Sequence, residues 1–356
     1  MVYQRILKPI LFRIDPEYVH RAIVPLGEQL GRTTLTRHAV SLVYGYTKDD
    51  ARVTVDGITY HTPLVLSAGF DPNGQLVEIL PSVAFVGIEV GSVTARPCAG
   101  NKPPNQTRLK RTRSILVNKG LRNEGVESVT TRLLRKRRIP GFAIGISIAR
   151  TNDTESCTLD AGIEDYAQSM RTLTEKRVGD WITINISCPN TYTGELFTEP
   201  SNLDLLLGTL DQIRSDRPMY LKMPISVSTT RFTELADVAA RHRVRGLIIG
   251  NLQKDYRHIQ PGDPHPTSYA GGLSGVPCRE DSNTLLSLAH DTYGDRFTLI
   301  GCGGVFSVDD AMEKFDRGAQ LIHMITGMIY TGPALMSDIA RAYAARMGHA
   351  VRHAME

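Results

Sequence analysis

Short apolar runs alternate with amphipathic segments from about residue 50 to the end of the chain. The runs are Leu64–Ser67, Phe85–Val90, Ala143–Ile148, Ile182–Ile186, Met219–Met223, Gly246–Ile249, Thr298–Gly301 and Leu321–Ile325. They lack the strict apolar–polar alternation of half-exposed strands, which predicts parallel strands covered on both faces. Leu203–Ile213, Phe232–Arg241, Ser307–Phe315 and Pro333–Ala345 carry apolar residues at helical spacing. Strand–helix repetition of this kind, roughly eight times over, predicts an α/β chain folded as a (β/α)8 TIM barrel. An open doubly wound sheet is the competing architecture. No G-x-G-x-x-G follows the first strand, which counts against a dinucleotide-binding unit.

The first 45 residues follow another pattern. Ile6, Leu7, Ile10, Leu11 and Ile14 recur at helical spacing, with Arg5, Lys8 and Arg13 between them. Asp15-Pro16-Glu17 then supplies an N-cap, a proline in the first turn and an acid near the positive end of the dipole. Val19, Ile23, Leu26 and Leu30 stripe a second helix that Gly31 can end and Pro25 should kink. The expectation is a helical segment over 1–45 and a barrel over 46–356. Two short helices could cap the bottom of the barrel or lie on a membrane surface. Two long connections, Ala95–Gly120 and Gln253–Gly272, follow strands and should project over the mouth where barrel active sites lie.

Composition narrows the classes. The chain has 356 residues, is 41% hydrophobic and 22% charged, and has a net charge of +4, an ordinary globular balance. No basic run is interleaved with aromatics, so nucleic acid is not an expected partner, and Arg108 to Arg113 reads as a solvated loop. The five cysteines (98, 157, 188, 278 and 302) form no C-x-x-C pair. They imply no disulfide framework and no metal site, and point to a reducing, cytoplasmic compartment. No apolar run approaches the roughly 18 residues of a membrane span, and no signal peptide is expected.

The candidate chemistry gathers at Ile182-Thr183-Ile184-Asn185-Ile186-Ser187-Cys188-Pro189-Asn190-Thr191. A buried strand here runs into two carboxamides, a hydroxyl and a thiol, stopped by a proline. Cys188 could supply a thiolate, and Asn185 and Asn190 could bind a planar polar ligand. An ordinary strand end with turn-forming Asn and Pro is the plainer reading. Gly301-Cys302-Gly303-Gly304 and Thr326-Gly327 follow the last two strands, the positions that commonly hold a phosphate in this fold. Ser307 should cap the helix after the first of them.

Taken together, these segments resemble the dihydroorotate dehydrogenases, specifically the membrane-associated, quinone-linked class 2 group. The resemblance runs from Leu11–Glu17 and His20 through Ser67–Gly74, Gly87–Pro97, Asn185–Thr191, Gly271–Gly275, Gly301–Gly304 and Thr326-Gly327. It implies a barrel holding FMN and a small N-terminal helical domain forming a quinone tunnel at the inner face of a membrane. Carried over position by position, Ala68, Gly69, Ser92, Ser147, Lys222, Gly275, Gly304, Thr326 and Gly327 would bind FMN. Ser147 stands where the family usually has asparagine. Lys222 would place an ammonium by the reduced flavin ring. Asn185, Asn190, Thr191 and Asn251 would bind a small carbonyl substrate, and Cys188 would be the base. Hydride would pass to flavin N5 as a double bond forms.

The departures fall on the substrate side. Cys188 stands where class 2 enzymes have serine. Pro72 replaces a lysine facing flavin and substrate, and Val117 an asparagine, with Asn118 one place off. Leu121 and Leu252 replace a phenylalanine and a threonine. Each lost charge-assisted contact is worth roughly 1.5–3 kcal/mol, so dihydroorotate is expected to be a poor substrate or none. Lys119 or Arg122 moving in to replace the charge is the alternative. An ene reductase on the same flavin site, or a catalytically silent flavoprotein module, are the other readings kept open.

Overall fold

The structure, a computed structural model, describes residues 2–187, 194–266 and 271–355. Its centre is a closed barrel of eight parallel strands. In chain order these are β1 (Leu64–Leu66), β2 (Gly87–Val93), β3 (Ala143–Ile148), β4 (Trp181–Asn185), β5 (Met219–Met223), β6 (Val244–Ile249), β7 (Thr298–Cys302) and β8 (Leu321–Met324). Each pairs with the next, and β8 closes on β1 through Ile322–Leu64 and Met324–Leu66. The strands are buried along almost their whole length, which is why they read as continuous apolar runs.

Alternate side chains point into the barrel and sort by depth. The lower layer is apolar: Val65, Trp181, Tyr220, Ile248, Ile300 and Leu321 pack together. A side chain at Gly145 would meet the Trp181 ring at 1.9 Å, so the indole takes the space that β3 leaves empty. The hairpin Val53–Val55 with Ile58–Tyr60 seals this end through Val55 and Tyr60. Above the apolar layer the inward positions turn polar, with Glu89, Lys222 and His323 buried in the upper half.

The N-terminal helices belong to the opposite end. Tyr3–Leu11 forms a π-type turn running into an α turn, followed by α1 (Pro16–Gly31) and α2 (Thr34–Tyr44). The hairpin already seals the bottom, and Tyr3–Leu11 and α1 line the mouth, so the bottom-cap reading is not what the chain adopts. The third helical piece, α2, was not expected from the sequence; Thr33 caps it by accepting from Thr36 N at 3.2 Å. The face that α1 buries is also rotated from the expected stripe. Val24 and Gly31 are buried and Gly27 packs on Leu76, whereas Ile23 and Leu26 are exposed. The helix meets the barrel through Val24, Leu30 and its glycines, while Val19 and Ile23 turn toward the cavity and Leu26 faces outward.

The two long connections are structured. Gln106–Leu109 and Ser114–Val117 form an antiparallel hairpin, and Gly272–Leu273 adds to it as a third strand over the mouth. Arg108 therefore lies on a strand and not in a solvated loop. Its guanidinium donates to Leu11 O and Ile14 O and stacks on Phe12, tying the N-terminal segment to the barrel.

Candidate active site

The upper barrel opens into a cavity of about 340 Å3. Its floor includes Ala68, Gly69, Ser92, Asn185, Lys222, Asn251 and Thr326. Its roof and one wall come from Phe12, Val19, His20 and Ile23 of the N-terminal helices. A narrower pocket of about 90 Å3 continues from it, sharing Ala68, Lys222, Asn251 and Thr326 and reaching Gly275, Gly303, Gly304 and Gly327. Gly275 and Gly304 adopt φ +79 and +76, conformations a side chain resists. A Cβ at Gly327 would meet Val305 O at 1.6 Å, so only glycine lets the two chain segments approach there.

A hydrogen-bond chain fixes the floor. Asn185 Nδ2 donates to Ser92 Oγ at 2.8 Å, and Ser92 Oγ lies 2.7 Å from Ser147 Oγ. The Tyr166 hydroxyl donates to Asn185 O at 2.7 Å, anchoring the end of β4. Asn251 Nδ2 reaches Ser187 Oγ at 2.6 Å, and Ser187 Oγ donates to Lys222 O at 3.1 Å. Thr326 Oγ1 donates to Ser274 Oγ at 2.9 Å. Fixed donors and acceptors of this kind hold a planar polar ligand without reorganising.

Beneath the floor lies an ionic cluster. Glu89 Oε2 stands 3.7 Å from Lys222 Nζ and 3.7 Å from His323 Nδ1, and it accepts from Ala68 N at 3.1 Å. Lys222 Nζ also donates to Ser67 Oγ at 3.3 Å. Burial alone would raise the Glu89 carboxyl, but the Lys222 charge, and then His323, hold it down at about 2. Lys222 thereby has a buried carboxylate and a hydroxyl as partners at the cavity floor.

Eleven of the residues singled out from the sequence can be placed this way, and all but one line the cavities. The exception is Ser147, which touches them only through Ser92. Cys188, Asn190 and Thr191 lie outside the described residues. On the altered side, Pro72, Val117, Leu121 and Leu252 all line the main cavity. Asn118 does not replace the missing carboxamide: its Oδ1 accepts from Asn101 Nδ2 at 2.7 Å, away from the cavity. Sequence reading missed Glu89 and His323, and noted Ser187 only as a hydroxyl at the strand end. The first two had a signal, since each is a lone ionisable residue inside an otherwise apolar strand. No group of metal-ligating side chains occurs among the described residues.

A closed parallel barrel with a ligand cavity at the C-terminal ends of its strands, floored by a paired lysine and fixed carboxamides, is an enzyme architecture. The comparisons narrow it further. The chain belongs to the dihydroorotate dehydrogenase family, whose model matches residues 50–347. The similarity is to the quinone-linked class 2 members. A dihydroorotate dehydrogenase (quinone) of Synechococcus sp. (strain JA-3-3Ab) is 32% identical over 97% of this chain and 93% of its own. One from Ralstonia nicotianae is 34% identical over 95% and 97%. The fold agrees with the Eimeria tenella enzyme solved with ferulenol, at a TM-score of 0.80 and 23% identity, covering 94% of this chain and 92% of that one. The chain is accordingly an oxidoreductase acting on CH–CH bonds, from a family that is flavin-dependent.

Proposed function

We propose that this protein is an FMN-dependent dehydrogenase that removes hydrogen from the CH–CH bond beside a carbonyl in a small substrate and delivers the electrons to a quinone. The observation that carries the reading is the continuity of the cavity. One space joins the polar floor at Asn185, Lys222 and Asn251 to apolar walls contributed by the N-terminal helices. The main cavity and its narrow extension suit a flat polar ring with an anionic tail. Ala68, Gly69, Ser92, Lys222 and Thr326 would hold the ring and ribityl portion, and Gly275, Gly304 and Gly327 the phosphate, with Ser147 acting through Ser92. When bound, FMN supplies the hydride acceptor and the two-electron link to quinone.

Asn185 and Asn251, with Asn190 and Thr191, would orient the substrate. Cys188 would take the proton from the carbon next to the carbonyl, a role that rests on its position in the Asn185–Thr191 motif. Lys222, paired with Glu89, would stabilise negative charge gathering on the ring above it. Residues 1–45 would form a distinct helical layer whose exposed Ile6, Leu7, Ile10, Ile14, Leu35, Leu42 and Val43 suit a membrane surface, the source of quinone. No helix among the described residues is long and apolar enough to cross a bilayer. The four donor-free positions at 72, 117, 121 and 252 favour a second reading of the same site, acting on a substrate other than dihydroorotate.

The test has two parts. Mass spectrometry of the ligand released on denaturation should find FMN; FAD, or a nicotinamide cofactor alone, would refute the cofactor assignment. Anaerobic addition of L-dihydroorotate should bleach the flavin slowly, and a ubiquinone analogue should restore its colour. If no candidate carbonyl substrate bleaches the flavin, the dehydrogenase reading fails.

A further inference from the structure

Five basic side chains line the main cavity: His20, Arg108, Lys119, Arg122 and Lys222. Four are committed elsewhere. Arg122 pairs with Glu17 at 2.5 Å, and Lys222 is held by Glu89 and Ser67. Arg108 is bound to the carbonyls of Leu11 and Ile14, and His20 lies 2.6 Å from Phe70 O. Lys119 makes no side-chain hydrogen bond or ion pair among the described residues.

Its placement follows from the local chain. The strand Ser114–Val117 turns Val117 toward the cavity. Asn118 is turned away by Asn101, and Lys119 comes back in, with Gly120 and Leu121 in left-handed conformations at φ +63 and +60. The ammonium lies close enough to His20 to depress it, while His20 itself bonds to the loop carrying Pro72. Lys119 and Pro72 thus line one cavity, to which Pro72 brings no charge and Lys119 brings an ammonium.

We infer that Lys119 is the substrate's anion hook: its ammonium binds the carboxylate of a small planar carbonyl compound of the dihydroorotate–orotate type. This rests on the dehydrogenase reading above for the position of the substrate but not for the presence of the anion site. An unpaired ammonium in a mostly apolar cavity gains most from a ligand bearing one negative charge. Burial already pushes Lys119 down to about 8, with Arg122 adding to the fall and Glu17 opposing it. Glu17 and His20 on α1 and Arg122 on its own loop are the charged or titratable groups facing it. Among these, burial pushes His20 down to about 4. An ordinary thiol also titrates at about 8.5, so the part of any loss of anion binding near pH 8 that vanishes in Lys119→Met is the part that belongs to Lys119.

The test uses the oxidised holoprotein, titrated with orotate and separately with uracil, which has the ring without the carboxylate, while the flavin absorption is followed. Lys119→Met should weaken orotate about tenfold to a hundredfold, the range of one charge-assisted contact. It should leave uracil unchanged. Lys119→Arg should retain most of the orotate affinity, which separates charge from folding damage. In the wild type, orotate binding should decline above about pH 8, and in Lys119→Met that decline should vanish. Equal orotate affinity in wild type and Lys119→Met overturns the proposal, as does a wild type that binds no orotate at millimolar concentration. Lys119-dependent orotate binding without flavin bleaching by dihydroorotate or any other candidate carbonyl substrate sustains the hook and defeats the dehydrogenase reading. Bleaching that is indifferent to Lys119 does the reverse.

Discussion

Replacing Glu89 by glutamine tests whether the buried cluster sets the charge of the cavity floor. The carboxylate is fully buried, 3.7 Å from both Lys222 Nζ and His323 Nδ1. Glutamine keeps the shape and removes the charge, leaving a buried ammonium without a counter-ion. Breaking such a pair costs about 3–5 kcal/mol. A second estimate agrees: a carboxyl held at about 2 against an ordinary 4.5 represents about 3 kcal/mol, at roughly 1.4 kcal/mol per pH unit. Because the folded state lowers this pKa, its contribution is complete above about pH 4.5 and fades as pH falls toward 2. Urea unfolding of flavin-stripped wild type and Glu89→Gln should differ by about 3 kcal/mol at pH 7, and the gap should shrink between pH 4.5 and 3. Glu89→Gln combined with Lys222→Met should recover part of the loss, since removing both charges costs less than orphaning one. A gap below about 1 kcal/mol at pH 7, or one that does not narrow in acid, would show that Lys222 does not depend on Glu89.

Three further outcomes follow from the site. Cys188→Ala should retain FMN but slow substrate-driven flavin bleaching by about 10²–10⁴-fold, the usual cost of losing a general base; unchanged stopped-flow traces would refute the assignment. Removing residues 1–45 takes away the Phe12, Val19, His20 and Ile23 walls of the cavity; flavin reduction should survive, while reoxidation by a quinone and binding to anionic lipid vesicles should be lost, and a full quinone rate would make the segment merely a cover. Pro72→Lys with Val117→Asn should accelerate bleaching by L-dihydroorotate by roughly a hundredfold, two contacts' worth, and no gain would place the altered specificity elsewhere.

The barrel was legible because both faces of each strand are covered. A parallel strand buried on both faces is mostly apolar, so β3 and β5 match their runs residue for residue, with Ser147 and Lys222 as the polar exceptions near the site. The N-terminal segment was harder for the opposite reason. Its apolar side chains divide between the core (Val24, Leu30), the cavity (Val19, Ile23) and the open face (Leu26), and part of its barrel contact runs through Gly27 and Gly31, which carry no hydrophobic signal. The hairpin over the mouth was hidden because Gln106–Leu109 pairs by backbone with little apolar pattern of its own. At the site, motif residues such as Asn185 and Thr326 were legible because each follows a recognisable strand. Lys119 could be named only alongside Arg122 as a replacement cation, because its direction depends on two successive left-handed residues and on where Asn118 turns.

That dependence bears on how the substrate side should be understood. Counting substitutions at 72, 117, 121 and 252 suggests a cavity stripped of polarity on that side. The geometry shows a redistribution: the polar side chain at 118 is turned into the Asn101–Asn105 network, while the cation at 119 enters the cavity. A cation with no protein partner is costly to keep in an apolar wall. Lys222, buried in the floor of the same cavity, shows how the chain holds a lysine that serves the fold, for it is given Glu89 and Ser67 as partners. Among the described residues, Lys119 makes no side-chain hydrogen bond or close ion pair, and the Glu17 carboxylate that acts on it is tied to Arg122. The economical explanation is that its partner arrives with the ligand, so that the charge cost is met only when the site is filled. Under that account specificity comes from one anionic contact, with the surrounding apolar residues selecting shape, and neutral ring compounds should bind Lys119 variants and wild type alike.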